Sequence, residues 1–302
     1  MDRRAFMAAG LAAGVTAISS SLAEDKSEVK SKTKFKLKYA PELGAYEASA
    51  GKDPIDQLKF FADEGFSAMF DNNLAQKPPE LQDTIAKQCQ QLNLAMGPFI
   101  ACAEFSKPTF VTKDNSIRES AINKLKAAIE VSKRTGNKMG IVVPGRYADN
   151  MEWAYQTANV IDNLKACAEV CEKDGFIMVI EPLNMQNHPG MFLSKIPQAY
   201  QICKAVNSPS CKIVDDIYHQ QITEGNLIPN MDRAWDQIAV FHLGDNPGRK
   251  EPTTGEINYR NIFKHIHEKG YQGVLCMEHG KSKPGKEGER AVIDAYRWCD
   301  DF

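Results

Sequence analysis

An alternation that repeats eight times constrains this chain more than any other feature. Short apolar runs occupy residues 35–39, 66–70, 94–100, 139–143, 176–180, 212–214, 238–243 and 273–277. Runs of this kind, bounded by turn signals, read as strands buried on both faces of a parallel sheet. Longer segments with helical periodicity lie between and after them, at 54–64, 79–91, 116–134, 153–173, 194–206, 230–235, 259–269 and 288–301, of which 230–235 is the weakest. Asp53 reads as an N-cap with Pro54 at the first helical position, and Ser194 reads as a cap ahead of Ile196. The pairs Gly65-Phe66, Gly175-Phe176 and Gly270-Tyr271 read as helix-ending glycines that lead directly into the next strand.

Eight β-then-α units fit a single-domain (β/α)8 barrel, an α/β fold of roughly 250 residues. The competing doubly wound sheet often carries a glycine-rich phosphate turn after its first strand. Here that strand runs into Ala40-Pro41-Glu42-Leu43-Gly44, which is no such turn. The 302 residues are 43% apolar and 25% charged, so a core can form and disorder as the main state is excluded. A formal net charge of −2 leaves no basic footprint for nucleic acid. Eight cysteines with no C-x-x-C pair are too sparse for a disulfide scaffold and read as mostly structural.

The first residues read as an address. Arg3-Arg4 is followed by Phe6, an apolar run of small residues from Ala8 to Ile18, and Ser21-Leu22-Ala23. The order of charged, apolar and small-residue regions is that of an export signal, and the paired arginines resemble the twin-arginine type. The expected domain map is a signal at 1–23 cleaved after Ala23, a flexible leader at 24–34, and the barrel at 35–302. An ordinary Sec signal or an uncleaved anchor is the competing reading. The twin-arginine route carries proteins already folded, so a metal would be acquired in the cytoplasm before passage to the periplasm. After cleavage no stable membrane span is expected.

In a barrel the site is built at the C-terminal ends of the strands. The fifth run ends in Glu181, the sixth in Asp215-Asp216, the seventh in His242 and the eighth in Glu278. Glu181, Asp216, His242 and Glu278 would then converge at one height, with Asp215 turned to the opposite side by strand alternation. Three carboxylates and one imidazole suit a hard or borderline divalent ion, Mn²⁺ or Mg²⁺. His219, three residues past Asp216, would face the same pocket.

The stretch from Glu181-Pro182-Leu183-Asn184 through Glu278 resembles the hydroxypyruvate isomerase family, within the xylose-isomerase-like barrels. Its most specific piece is Gly244-Asp245-Asn246-Pro247-Gly248-Arg249, then Glu251-Pro252 and Gly255-Glu256-Ile257-Asn258-Tyr259, close to the family's loop after strand seven. Asp216-Ile217-Tyr218-His219 is similar to its strand-six motif. The resemblance covers about the last 130 residues and implies an isomerase acting on a small hydroxy-carbonyl compound, hydroxypyruvate to tartronate semialdehyde in that family. It implies Glu181 and Glu278 as the catalytic pair, because moving a proton between adjacent carbons needs a base and an acid. It points to His219 and Arg249 as substrate-binding groups, Arg249 by clamping a carboxylate. Asp245 and Glu256 would orient the loop or His242.

Some positions depart from the family pattern. The segment from Gly97 to Phe105 lacks the glycine- and acid-rich character of many members after strand three. Asn187 stands where epimerase relatives often carry glutamate, and His242 where many hydroxypyruvate isomerases carry glutamine. A ketose 3-epimerase or another exported sugar-modifying enzyme therefore remains an alternative, as does a non-catalytic exported sugar-binding barrel. A multi-zinc nuclease is disfavoured by only six histidines. The expected partner is a small molecule, and assembly with further copies of the chain is left open.

Overall fold

A computed structural model of the chain describes residues 33–302. The signal read at 1–23, and the leader read at 24–34 up to its last two residues, lie outside the described residues. The strands are β1 (Lys38–Ala40), β2 (Ala68–Met69), β3 (Ala95–Met96), β4 (Phe99–Ala103), β5 (Met139–Val143), β6 (Ile177–Ile180), β7 (Cys211–Asp216), β8 (Ile238–His242) and β9 (Val274–Cys276). The helices are α1 (Glu47–Ala50), α2 (Pro54–Asp63), α3 (Pro79–Leu92), α4 (Asn115–Thr135), α5 (Trp153–Glu172), α6 (Ile196–Val206), α7 (Ile217–Thr223), α8 (Leu227–Ala234), α9 (Tyr259–Glu268) and α10 (Gly285–Asp300).

All pairings between these strands are parallel. Seven strands form one sheet in the order β1-β9-β8-β7-β6-β5-β4, and β2 pairs with β3. The ring closes between β1 and β2, where Phe70 N donates to Pro41 O at 3.1 Å and Leu43 N donates to Phe70 O at 2.9 Å. The architecture is the (β/α)8 barrel that the alternation predicts.

One expected strand, at 94–100, is divided. Pro98 has no N–H to give to a ladder. Gly97 sits so close to its neighbours that an added Cβ would lie 2.8 Å from both Cys276 Sγ and Phe70 Cβ. The run therefore pairs with β2 before this point and with β5 after it. Two helices were not legible. The four-residue α1 is too short to show a period, and α7 begins directly at the end of β7 because Asp216 turns from strand residue to N-cap. Helix α6 starts at Ile196 with Lys195, not Ser194, at the N-cap.

Strand alternation separates two apolar layers. Ala40, Ala68, Ile141, Val179, Val214 and Val240 belong to the cluster inside the barrel. Tyr39, Phe99, Val142, Ile180, Phe241 and Leu275 belong to the layer between strands and helices. On β8 the register advances by one extra residue at Ala239, so that Val214 pairs with Val240 and Asp216 with His242. This bulge keeps both Val240 and His242 on the inner face. Stepping by two residues from the inner apolar positions reaches Glu42, Asn72, Glu181, Asp216, His242 and Glu278 at the C-terminal rim.

All eight cysteines are buried and unpaired. Burial pushes the thiols of Cys89 and Cys171 up to about 12, which suits packing rather than nucleophilic chemistry. Among the described residues no helix is long and apolar enough to cross a membrane.

Candidate functional site

Each of Glu181, Asp216, His242 and Glu278 offers one ligand atom, and these atoms all lie within 4.8 Å of one another. His242 Nδ1 is 3.1 Å from Glu278 Oε2 and 3.6 Å from Glu181 Oε1. Asp216 divides its oxygens between two tasks. Its Oδ1 accepts from His219 N at 3.1 Å and so caps α7, while its Oδ2 meets Arg249 Nη2 at 3.1 Å. One carboxylate thus ends the strand, starts the helix and faces the pocket.

Arg249 bridges two of the acids. Its Nη2 donates to Glu278 Oε2 at 2.7 Å as well as to Asp216, its Nε donates to Glu278 O at 3.2 Å, and its guanidinium lies 4.9 Å from the centre of the Tyr218 ring. The loop carrying it contains a cis Asn246-Pro247 bond and a left-handed Arg249 at φ +46°. Asp245, fully buried, organises that loop by accepting from Asn246 N, Gly255 N and Ile257 N at 2.8 to 3.0 Å. Gly255 packs so tightly on Asn246 that a Cβ there would fall 2.0 Å from its carbonyl oxygen. Glu256 accepts from Asn246 Nδ2 at 2.5 Å and Gln221 Nε2 at 3.2 Å. Asp245 shapes the loop, Glu256 ties it to Gln221 of α7, and neither acid is hydrogen-bonded to His242.

His219 is buried, and its Nδ1 lies 2.6 Å from Asn184 Nδ2 and 3.4 Å from the Asn184 backbone N–H. With Nδ1 accepting, a proton on Nε2 faces the pocket, 3.6 Å from Asp216 Oδ2. Asn184 is held in turn by Asn187, whose Oδ1 also accepts from Tyr218 Oη at 2.9 Å.

The electrostatics are those of an acid-rich rim. Burial alone would raise the Glu278 carboxyl, but the charge and hydrogen bond of His242, then Arg249 and Asn72, hold it well below the usual range. Burial would lower the His242 imidazole, yet Glu278 and the hydrogen bonds of Cys276, Glu181 and Glu278 raise it well above its ordinary value. Glu42 is pushed up to about 7 by burial and by the charges of Glu278 and Asp71. The rim thus carries more carboxylates than cations to balance them. His242 Nε2 is buried with no hydrogen-bond partner. An imidazole facing carboxylates through Nδ1, in a surplus of buried acid, fits a hard divalent cation. Glu181, Asp216, His242 and Glu278 are the residues that could hold it.

The cavity above these groups measures about 90 Å³ and is lined on its polar side by Asn72, Glu181, His188, His219, Arg249 and Glu278. A larger cavity of about 620 Å³ opens beside Met96 and Met139 at the opposite end of the barrel, away from this cluster.

Asn72, His188 and Phe105 reach the pocket without having been singled out in the sequence. Asn72 was readable, because it lies two steps beyond Ala68 on the inner face. His188 and Phe105 come from the loops after β6 and β4, and nothing in local sequence tells where a loop side chain lands.

The chain matches the xylose isomerase-like TIM barrel family over residues 58–302. It is 34% identical over 176 residues to the hydroxypyruvate isomerase of Escherichia coli K12, covering 58% of this chain and 66% of that protein, just under two thirds of its length. It is 28% identical over 240 residues to a 2-oxo-tetronate isomerase of Pectobacterium atrosepticum, covering 76% of this chain and 89% of that protein. The crystal structure of an AP endonuclease of family 2 from Brucella melitensis superposes with a TM-score of 0.70 at 20% identity, covering 85% of this chain and 98% of that one, which is a likeness of fold. With its matched span, its closed ring of parallel strands and its acid-rich rim, the chain belongs to the xylose isomerase-like TIM barrel family.

Proposed function

We propose that this protein is a metal-dependent isomerase that moves a proton between adjacent carbons of a small hydroxy-carbonyl compound, of the hydroxypyruvate type. The observation that carries the reading is the meeting of Glu181, Asp216, His242 and Glu278 within 4.8 Å at the strand ends. The activities for which the two isomerase relatives are named support it.

Glu181 and Glu278 stand on either side of Asp216 and His242 around the rim, each at the pocket wall. One removes the proton from the hydroxyl-bearing carbon beside the carbonyl and the other returns a proton to the former carbonyl carbon, while the hydroxyl proton passes to the former carbonyl oxygen. Between the two transfers the substrate is an enediolate, with its negative charge on oxygen. A divalent cation held by the four residues supplies Lewis-acid stabilisation of developing oxyanion charge. His219, with its proton on Nε2, donates a hydrogen bond toward a substrate oxygen. Arg249 bridges Glu278 and Asp216 and presents its outer edge, 30% exposed, to the cavity. Ile100, Ile141, Val143 and Leu183 complete the cavity lining with apolar side chains.

The same proposal includes export by the twin-arginine-type signal at residues 1–23, with the protein folded before passage.

The test is exchange of the substrate α-proton in deuterated water with added Mn²⁺ or Mg²⁺. Glu181→Gln and Glu278→Gln should each lose exchange and turnover. Full turnover in both variants would sink the two-glutamate mechanism, and ligand binding with no exchange in the wild type would favour a binding protein.

A further inference from the structure

The 90 Å³ cavity is small, far below the roughly 300–1,000 Å³ of sites for drug-sized ligands. Its apolar side is Ile100, Ala103, Ile141, Val143, Leu183 and Phe105. Ile100, Ala103, Ile141 and Val143 lie on β4 and β5, and Leu183 is a buried residue of the loop after β6. Phe105, in the loop after β4, differs in being 47% exposed.

The backbone of that loop is pinned. Phe110 N and Thr109 Oγ1 both donate to Pro144 O, at 3.1 and 2.7 Å, and Arg146 N donates to Lys107 O at 3.1 Å. Glu104 Oε1 accepts from Ser106 N at 2.7 Å and Ser106 Oγ at 2.5 Å, closing a tight turn around Phe105. Gly145 allows this approach, since a Cβ there would lie 2.3 Å from Thr109 Oγ1. The ring itself rests on His188, centroids 5.8 Å apart at 34°, and His188 packs edge-on against His219 at 5.3 Å and 71°. The pinned backbone thus holds the half-exposed Phe105 ring against His188 at the edge of the cavity.

We propose that Phe105 is a lid residue that sets the substrate's size, limiting the site to three- and four-carbon hydroxy-2-oxo acids and excluding ketohexoses. The inference rests on the isomerase reading of the same site. Its physical basis is that the Phe105–His188–His219 ladder walls one side of the cavity beside the polar groups. A longer substrate projects into the volume that the phenyl ring fills.

The test compares wild type with Phe105→Ala and Phe105→Trp, each loaded with Mn²⁺, on hydroxypyruvate and on fructose. Proton exchange and binding isotherms are both measured. Wild type should prefer hydroxypyruvate. Phe105→Ala should shift the kcat/KM ratio toward fructose by about tenfold or more, with a rise in KM for hydroxypyruvate. Phe105→Trp should keep the wild-type preference. The half-exposed ring should leave the melting temperature of the alanine variant near that of wild type. A ratio unchanged within twofold in Phe105→Ala, or a wild type that takes both compounds equally, overturns the lid. A wild type that exchanges no proton on either compound sinks the isomerase reading alone. The lid then stands or falls on the isotherms: gained fructose affinity in Phe105→Ala upholds it, and no gain overturns it.

Discussion

Asn72 donates from Nδ2 to Glu278 Oε1 at 2.7 Å, tying the rim of β2 to that of β9 across the barrel mouth. The bond fixes which oxygen of Glu278 remains for His242 and Arg249, namely Oε2. Outer partners of metal-binding groups typically change metal affinity or activity by about 10- to 100-fold when removed. Asn72→Ala should therefore weaken Mn²⁺ binding and lower kcat by that order. Asn72→Asp should also lose the bond and lower kcat, but its added negative charge should offset part of the lost Mn²⁺ affinity. Calorimetric titration of Mn²⁺ checks both, and an unchanged affinity in both variants would show that Glu278 needs no such support.

Arg249 occupies the centre of the acid cluster, with Nη2 on both Glu278 and Asp216. A guanidinium there neutralises the carboxylates that a divalent cation needs, and like charges in a poorly hydrated site repel strongly. Arg249→Ala should bind Mn²⁺ more tightly than wild type, by about tenfold, yet turn over substrate at least about 100-fold more slowly. Arg249→Lys should fall between, because an ammonium lacks the planar fork that spans two acids. Weaker metal binding in Arg249→Ala would mean that the guanidinium organises the ligands rather than competing for them.

The strands and the inner face of the rim were legible for one reason. Buried parallel strands show as apolar runs, and period-two alternation then carries Val179 to Glu181, Val214 to Asp216, Val240 to His242 and Val274 to Glu278. The same step reaches Asn72 from Ala68, so the sequence pattern places that residue on the inner rim as well. What could not be read depends on tertiary approach. The division of the third strand follows from the packing of Gly97 on Cys276 and Phe70. The start of α7 follows from Asp216 serving both strand and helix. Phe105 and His188 meet across two loops that are far apart in the chain, and no local pattern encodes that contact.

The proposed export rests on Arg3 and Arg4. Replacing both with lysine should leave full-length precursor in the cytoplasm, while the wild type appears in the periplasm without residues 1–23. Because the route carries folded protein and all eight thiols are buried, the exported wild type should keep eight free thiols under denaturing alkylation. Wild-type distribution of the Arg3→Lys/Arg4→Lys variant would remove the twin-arginine reading and leave the Sec alternative.

Asp215 makes a prediction about stability with a definite sign. It faces away from the pocket, is 2% exposed, and is pushed up to about 8 by burial, then by the charges of Asp216 and Glu224. Its ordinary value is 3.8. Between those two values the folded protein holds a proton that the unfolded chain releases. The native state then binds more protons, so stability falls as pH rises, by about 1.4 kcal/mol per pH unit for one group. The contribution is complete below pH about 4 and is lost by the time pH passes about 8. Asp215→Asn removes the titration and keeps the shape. In metal-free protein, urea unfolding at a series of pH values from 5 to 9 should show a shallower decline for Asp215→Asn than for wild type. The variant should be the more stable of the two at pH 9. Parallel curves for the two proteins would mean that Asp215 ionises in the fold as it does in the unfolded chain.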